Sequence, residues 1–159
     1  MYDADLLMKD AGLVAADAAG TVDGSPMVFS VGPGRVEGFL VVDVSAIEIA
    51  DNDELYKIKL QGSSRKDFAH NVEDLAILEL GAKEVLGGDQ DSAARRYAIP
   101  FTNERDGYLW PHLRVYTDVN GTIASGINFT AWLTNAVTTR TTGSCTATTT
   151  TTTTTTTTV

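Results

Sequence analysis

Apolar and polar residues alternate from Leu113 to Leu133, which is the clearest pattern in the chain. In a strand, alternation places successive side chains on opposite faces, so one face here carries Leu113, Val115, Thr117 and Val119. The dipeptide Asn120-Gly121 supplies residues that accept a positive φ, as short hairpin turns require. The segment therefore predicts two β-strands joined as a hairpin.

The second strand of this predicted hairpin carries an unusually placed tryptophan. Its apolar face consists of Ile127, Phe129, Ala131 and Leu133. Trp132 falls on the opposite face, among Asn and Thr residues. A large aromatic side chain on a polar face is typical of a surface that another protein covers. Trp132 is therefore predicted to lie at a protein contact.

Other short β-patterns, separated by turn residues, precede this segment: 27–31, 36–49, 55–61, 75–80 and 96–101. The core of the second segment, residues 38–42, is apolar on both faces, as in a central strand. The acidic loop after this segment predicts a hairpin with the third segment. Pro100 cannot donate a backbone hydrogen bond, so the strand 96–101 is predicted to lie at a sheet edge or to end there. About seven or eight strands without a long helix predict an all-β fold, an antiparallel β-sandwich of jelly-roll type.

Composition divides the chain into three parts. Residues 1–24 lack strand alternation and are predicted to form a short N-terminal arm, extended or partly helical, with Leu6, Leu7, Ala11 and Val14 along one side of the helix. Residues 25–137 are the predicted β-sandwich domain. Residues 138–159 are a low-complexity, Thr-rich tail. The tail either buries too little apolar area to fold or consists of surrogate residues that stand in for undetermined ones.

Charge and cysteine content restrict the partners. The formal net charge of the 159 residues is -9, whereas nucleic-acid binding depends on clustered Lys and Arg, so no direct nucleic-acid partner is expected. Cys145 is the only cysteine, which excludes an intrachain disulfide and a multi-thiolate zinc site. Since no signal peptide and no apolar span are recognised, we expect synthesis in a cytoplasm and no membrane partner.

Groups suited to catalysis or metal binding are few. Asp51, Asp53 and Glu54 place three carboxylates in one loop, but the EF-hand spacing is absent, which favours a solvated loop over a calcium site. His70 and His112 are the only imidazoles, and neither lies in a nucleophile-elbow or zinc-helix motif. The sequence predicts no catalytic residue, no cofactor and no metal. A hydrolase centred on one of the histidines is a remaining alternative.

An aromatic group precedes the last two predicted strands. Tyr108 and Trp110 lie beside His112 within five residues. Three roles fit this group: stacking on a sugar ring, contact with another protein, and ordinary core packing.

The order of these segments resembles that of the capsid cement, or decoration, proteins of tailed bacteriophages. The likeness covers residues 3–133, and it rests on the arm, the strand 36–49 and the stretches LYKIKLQGS, YAIPFTNE, LRVY and GTIASGINFTAWL. Each stretch alone is chemically unspecific, so the order in combination carries the resemblance.

The resemblance implies a jelly-roll protein that assembles on the outer capsid surface of a virion and clamps neighbouring major capsid subunits. We therefore predict a noncatalytic structural protein that acts as a symmetric dimer or trimer. Its predicted protein interface consists of Tyr2, Leu6, Leu7, Tyr108, Trp110 and Trp132. The alternative function is a carbohydrate-binding module or adhesin on the same scaffold, with Tyr108, Trp110 and His112 as its stacking group.

Overall fold

The computed structural model describes residues 6–82 and 92–135, and this part of the chain is all-β. Tyr2, Cys145 and the Thr-rich tail lie outside the described residues. The strands, in chain order, are β1 (Leu7–Val14), β2 (Ala18–Ala19), β3 (Thr21–Val22), β4 (Ser25–Pro26), β5 (Phe29–Ser30), β6 (Glu37–Ile47), β7 (Leu55–Ser63), β8 (Val72–Gly81), β9 (Arg96–Thr102), β10 (Glu104–Arg105), β11 (Tyr108–Leu109), β12 (His112–Asn120) and β13 (Ile127–Thr134). Within the same residues, no helix has both the length and the apolar character that crossing a bilayer requires.

Two antiparallel sheets contain all of the long strands. The four-stranded sheet has the order β1-β13-β6-β9. The five-stranded sheet has the order β2-β12-β7-β8, with β5 also paired to β12. The prediction of an antiparallel β-sandwich is confirmed. So are the central position of β6 and the edge position of β9, which contains Pro100.

The inner faces of the two sheets share one hydrophobic core. Alternate residues of β7 and β12 point inward, as the sequence pattern predicts, and the same holds for β13 in the opposite sheet. The apolar side chains of these three strands that are fully enclosed are Tyr56, Ile58, Leu60, Leu113, Val115, Ile127, Phe129 and Ala131. Each strand therefore buries the face that its alternation indicates.

Both predicted hairpins are wrong, because each pair of strands is divided between the sheets. β12 belongs to the five-stranded sheet and β13 to the four-stranded sheet, so residues 121–126 cross from one sheet to the other. The same division separates β6 from β7. Gly121 makes the later crossover feasible, since its φ is 100° and a Cβ there would lie 2.2 Å from the Asp53 carbonyl oxygen.

The N-terminal segment forms a strand of the sandwich, so of the two predicted conformations the helical one is wrong and the extended one fits. β1 pairs with β13, and Met8 is fully buried in the core. The pairing register shifts on both sides of Lys9, which breaks the period of two and hides the strand in the sequence. The buried Lys9 ammonium donates hydrogen bonds to the carbonyl oxygens of Asp10, Gly12 and Phe129, at 2.8, 3.0 and 3.1 Å. These bonds satisfy backbone oxygens at the irregularity.

Candidate contact surface at residues 104–109

Few large apolar side chains are exposed in the described residues, and two of them are neighbours in one short strand. Tyr108 is 71% exposed and Leu109 is 40% exposed, both in β11. The other three are spread over the β1 and β8 edges: Leu13, Val72 and Ile77. The Tyr108-Leu109 pair is thus the most concentrated exposed apolar surface described.

β10 and β11 form a two-residue hairpin, here called the exposed hairpin, over Glu104–Leu109. At its tip Asp106 and Gly107 both have a positive φ, 53° and 78°, as the type I′ turn requires. No prediction was made for this hairpin, although an Asp-Gly dipeptide is a strong signal for such a turn. The tight turn leaves the backbone of the exposed hairpin little freedom.

Asn103 anchors the base of the exposed hairpin. Its side chain is fully buried; Oδ1 accepts a hydrogen bond from the Val36 amide at 2.6 Å, and Nδ2 donates to the carbonyl oxygens of Gly34 and Trp110 at 3.0 and 3.3 Å. Its backbone also pairs with Val36 and Trp110, at 2.9 and 2.8 Å. One buried amide therefore joins both ends of the exposed hairpin to the segment that leads into β6.

Ion pairs position the exposed hairpin from two sides. Arg105 Nε lies 3.1 Å from Glu73 Oε1, and Arg105 also donates to the Asp74 carbonyl oxygen on β8. Glu104 pairs with Arg35 at 3.3 Å. Exposed ion pairs of this kind contribute little stability, so their main effect is on orientation.

Trp110 directly follows the exposed hairpin and packs on the five-stranded sheet at Gly62. Its side chain packs so closely on Gly62 that a Cβ at that glycine would lie 2.7 Å from the Trp110 Cβ. The indole Nε1 is enclosed and has no hydrogen-bond partner among the described residues. The Tyr108 and Trp110 ring centroids are 6.1 Å apart with a 34° tilt, so Tyr108 faces solvent while Trp110 packs inward.

The two histidines lie in different local environments. His112 Nδ1 is 3.0 Å from Ser30 Oγ, and no described carboxylate bonds to its ring. Near His70, the buried Ser63 hydroxyl donates to the His70 backbone oxygen at 3.2 Å instead of meeting the imidazole. The described contacts thus contain no Ser-His-Asp geometry at either histidine.

The remaining predicted interface residues do not join the exposed hairpin. Leu6 packs against the core, and Leu7 lies in β1 opposite Trp132. Trp132 is only 6% exposed, and the Arg96 guanidinium lies over its ring at 5.1 Å from the centroid. Leu6 is therefore packed against the chain's own core, and the Trp132 ring is largely covered within the chain.

The acidic loop is also arranged differently from the solvated loop that the sequence predicts. Asp53 accepts hydrogen bonds from the Thr122 amide and hydroxyl, both at 2.9 Å. Glu54 is fully buried, while Asp51 is exposed. The prediction of a solvated loop is wrong for Glu54, because this residue directly precedes β7 and its side chain is enclosed by the protein.

Comparison with known proteins gives no independent identification. No protein-family model matches this chain, and neither does any curated protein.

Proposed function

We propose that this protein is a noncatalytic virion structural protein that binds the outside of a capsid and clamps neighbouring major capsid subunits. The proposal rests on the resemblance in segment order to the capsid cement proteins of tailed bacteriophages. An antiparallel β-sandwich is the kind of scaffold that such a protein needs, and the jelly-roll connection of its strands is part of the proposal.

The exposed hairpin is the observation that carries a binding role. Tyr108 is 71% exposed on a backbone that Asn103 and Arg105 hold in place. A preformed aromatic anchor loses little conformational entropy on binding, and tyrosine is among the residues that contribute most at protein interfaces. Tyr108 and Leu109 are therefore the proposed centre of the contact with the major capsid protein.

Self-association completes the proposal. A symmetric dimer or trimer would present two or three copies of the exposed hairpin to a symmetric capsid surface. Linked contacts raise the overall affinity well above that of one contact, provided that the spacing matches. This is how a modest apolar surface per chain would hold neighbouring capsid subunits together.

Carbohydrate binding is supported less well by the same residues. Tyr108 offers an exposed ring, but the enclosed Trp110 Nε1 is not available to hydrogen-bond a sugar hydroxyl. A protein partner therefore accounts for the geometry better than a glycan does.

Co-sedimentation with empty capsids of the phage that encodes the chain tests the proposal. We expect the wild-type protein to bind and Tyr108→Ala to bind about 30-fold more weakly, the effect of losing roughly 2 kcal/mol at an interface anchor. Leu13→Ala, which removes another exposed apolar side chain from β1, is the matched control and should bind as the wild type does. Absence of wild-type binding, together with hits on a glycan array, would favour the carbohydrate-binding alternative.

A further inference from the structure

Three carboxylates meet at the crossover from β6 to β7, in a group here called the acidic cluster: Glu48, Asp51 and Glu54. One carboxylate oxygen from each lies within 4.8 Å of the others. Glu48 follows the end of β6, and Glu54 directly precedes β7. The acidic cluster therefore sits where the chain passes between the sheets.

Glu54 is the unusual member of the acidic cluster. It is fully buried; its Oε1 accepts a hydrogen bond from the Asp51 amide at 2.7 Å, and its Oε2 is enclosed with no hydrogen-bond partner among the described residues. An unpartnered carboxylate oxygen away from water is unfavourable unless a cation or a hydrogen-bond donor meets it. Glu54 Oε2 therefore has room in its chemistry for a cation, since no described protein group donates to it.

Glu48 is held in place by backbone amides of the other crossover. Its Oε2 accepts hydrogen bonds from the amides of Ala124, Ser125 and Gly126, while Oε1 has one contact, at 3.1 Å from the Ala124 amide. These three amides fix the orientation of the Glu48 carboxylate. Oε1 therefore retains the capacity to bind a cation.

The surroundings of the acidic cluster offer oxygen atoms and no described counter-charge. None of the ion pairs in the described residues includes Glu48, Asp51 or Glu54. The Tyr56 hydroxyl donates to the Glu48 carbonyl oxygen at 3.1 Å. The phenol thus brings no positive charge to the carboxylates.

We propose that Glu48, Asp51 and Glu54 bind one Ca²⁺ ion. Ca²⁺ takes oxygen ligands at about 2.4 Å, so two oxygens on the same ion lie at most about 4.8 Å apart, which the acidic cluster satisfies. Mg²⁺ requires a stricter octahedron and keeps several of its waters, so three protein carboxylates suit it less well than Ca²⁺. Asp51 is on the solvent side and gives the ion its route in, and water completes the coordination.

The bound ion would join the two crossovers. Glu48 connects it to the amides of residues 124–126, and Glu54 connects it to the beginning of β7. Binding to the folded state alone stabilises that state in proportion to the logarithm of the ion concentration. Cation binding at this end does not depend on the exposed hairpin or on capsid binding.

Calorimetric titration of the full chain with CaCl₂, after removal of divalent ions with a chelator, tests the proposal. We expect one Ca²⁺ per chain, with binding about tenfold or more weaker in Asp51→Asn and lost in Glu54→Gln. Glu37→Gln makes the same charge change at a side chain that is 75% exposed and outside the acidic cluster, so it should bind as the wild type does. Ca²⁺ should also raise the Tm of the wild type and of Glu37→Gln.

Several results would overturn the proposal: no saturable binding by the wild type, an unchanged affinity in Asp51→Asn, an equal loss in Glu37→Gln, or tighter binding of Mg²⁺ than of Ca²⁺. If Glu54→Gln does not fold, Asp51→Asn decides the question alone, because its side chain is exposed and its amide hydrogen bond to Glu54 is kept.

Discussion

Asn103 is the residue on which the proposed contact depends, although it does not face the partner. Substitution by Ala leaves the Val36 amide and the Gly34 and Trp110 carbonyl oxygens without their side-chain partners. Because these groups are buried, we expect Asn103→Ala to lower the free energy of unfolding by about 2 to 4 kcal/mol. Urea unfolding measures the change, and Asn120→Ala, at an exposed strand end, should stay within about 0.5 kcal/mol of the wild type.

Lys9 gives a second prediction at the scale of single residues. Its ammonium donates to three carbonyl oxygens and lies 4.5 Å from the centre of the Phe129 ring, while burial lowers the pKa of Lys9. Lys9→Met keeps most of the side-chain volume but removes every donor, so we expect a loss of about 1 to 3 kcal/mol in urea unfolding. A loss no larger than that of Lys66→Met, at an exposed position, would contradict this role.

At the scale of elements, Lys59 connects three strands on the outer face of the five-stranded sheet. From β7 it pairs with Asp118 on β12 and with Asp74 on β8, the latter at 3.2 Å. The hydrogen bond to Asp118, partly opposed by burial, raises the pKa of Lys59. A folded-state pKa above the unfolded value of 10.5 means that the stabilisation is complete below pH 10.5 and is lost as pH rises through the folded pKa.

The raised pKa of Lys59 predicts how the stability of the protein depends on pH. The difference in unfolding free energy between the wild type and Lys59→Met should stay constant between about pH 7 and pH 9 and shrink above about pH 10.5. Urea unfolding at a series of pH values measures it, and taking the difference cancels tyrosine ionisation common to both proteins. Lys57→Met, whose partner Glu79 is more exposed, is the control and should show a smaller dependence. A difference that persists unchanged to pH 12 would argue against the bridging role.

Strand faces were predictable from the sequence, whereas strand partners were not. Alternation identified the buried faces of β7, β12 and β13 because a half-buried strand must place every second side chain in the core. Two strands with such faces can bury them equally well as neighbours in one sheet or as members of the two opposite sheets. The choice depended on crossovers in which Gly121 approaches Asp53 from 68 positions away, a contact that no local pattern contains.

Among the residues of the candidate sites, some were likewise predictable from local sequence and others were not. Tyr108 was singled out because it forms an aromatic group with Trp110 and His112 that is visible within five residues, and its exposure bears on the proposed contact. Asn103 was missed because its partners in the segment before β6 are 67 and 69 positions away. Glu48 was missed because a single Glu after a strand gives no signal until the amides of residues 124–126 are folded against it.

At the scale of the whole molecule, the two sheets form one cooperative unit because neither has a core without the other. Core residues extend from Met8 in β1 to Leu133 in β13, strands that pair directly with each other. Opposite ends of the described chain are thus adjacent in the four-stranded sheet. Removal of the N-terminal segment should therefore affect the fold itself and not only a contact with a neighbour.

Two truncations test this unity. Deleting residues 1–14 removes β1 and Met8, and loss of a buried side chain of that size alone costs about 2 to 5 kcal/mol, so we expect a chain that is unfolded or severely destabilised. Deleting residues 138–159 removes a segment with little apolar area to bury and should leave the urea midpoint unchanged. Fluorescence follows both, since Trp110 packs on the five-stranded sheet and Trp132 lies in the four-stranded sheet. A chain lacking residues 1–14 that unfolds at the wild-type midpoint would show that β1 is a detachable arm, and only then would its loss of capsid binding indicate a lost contact.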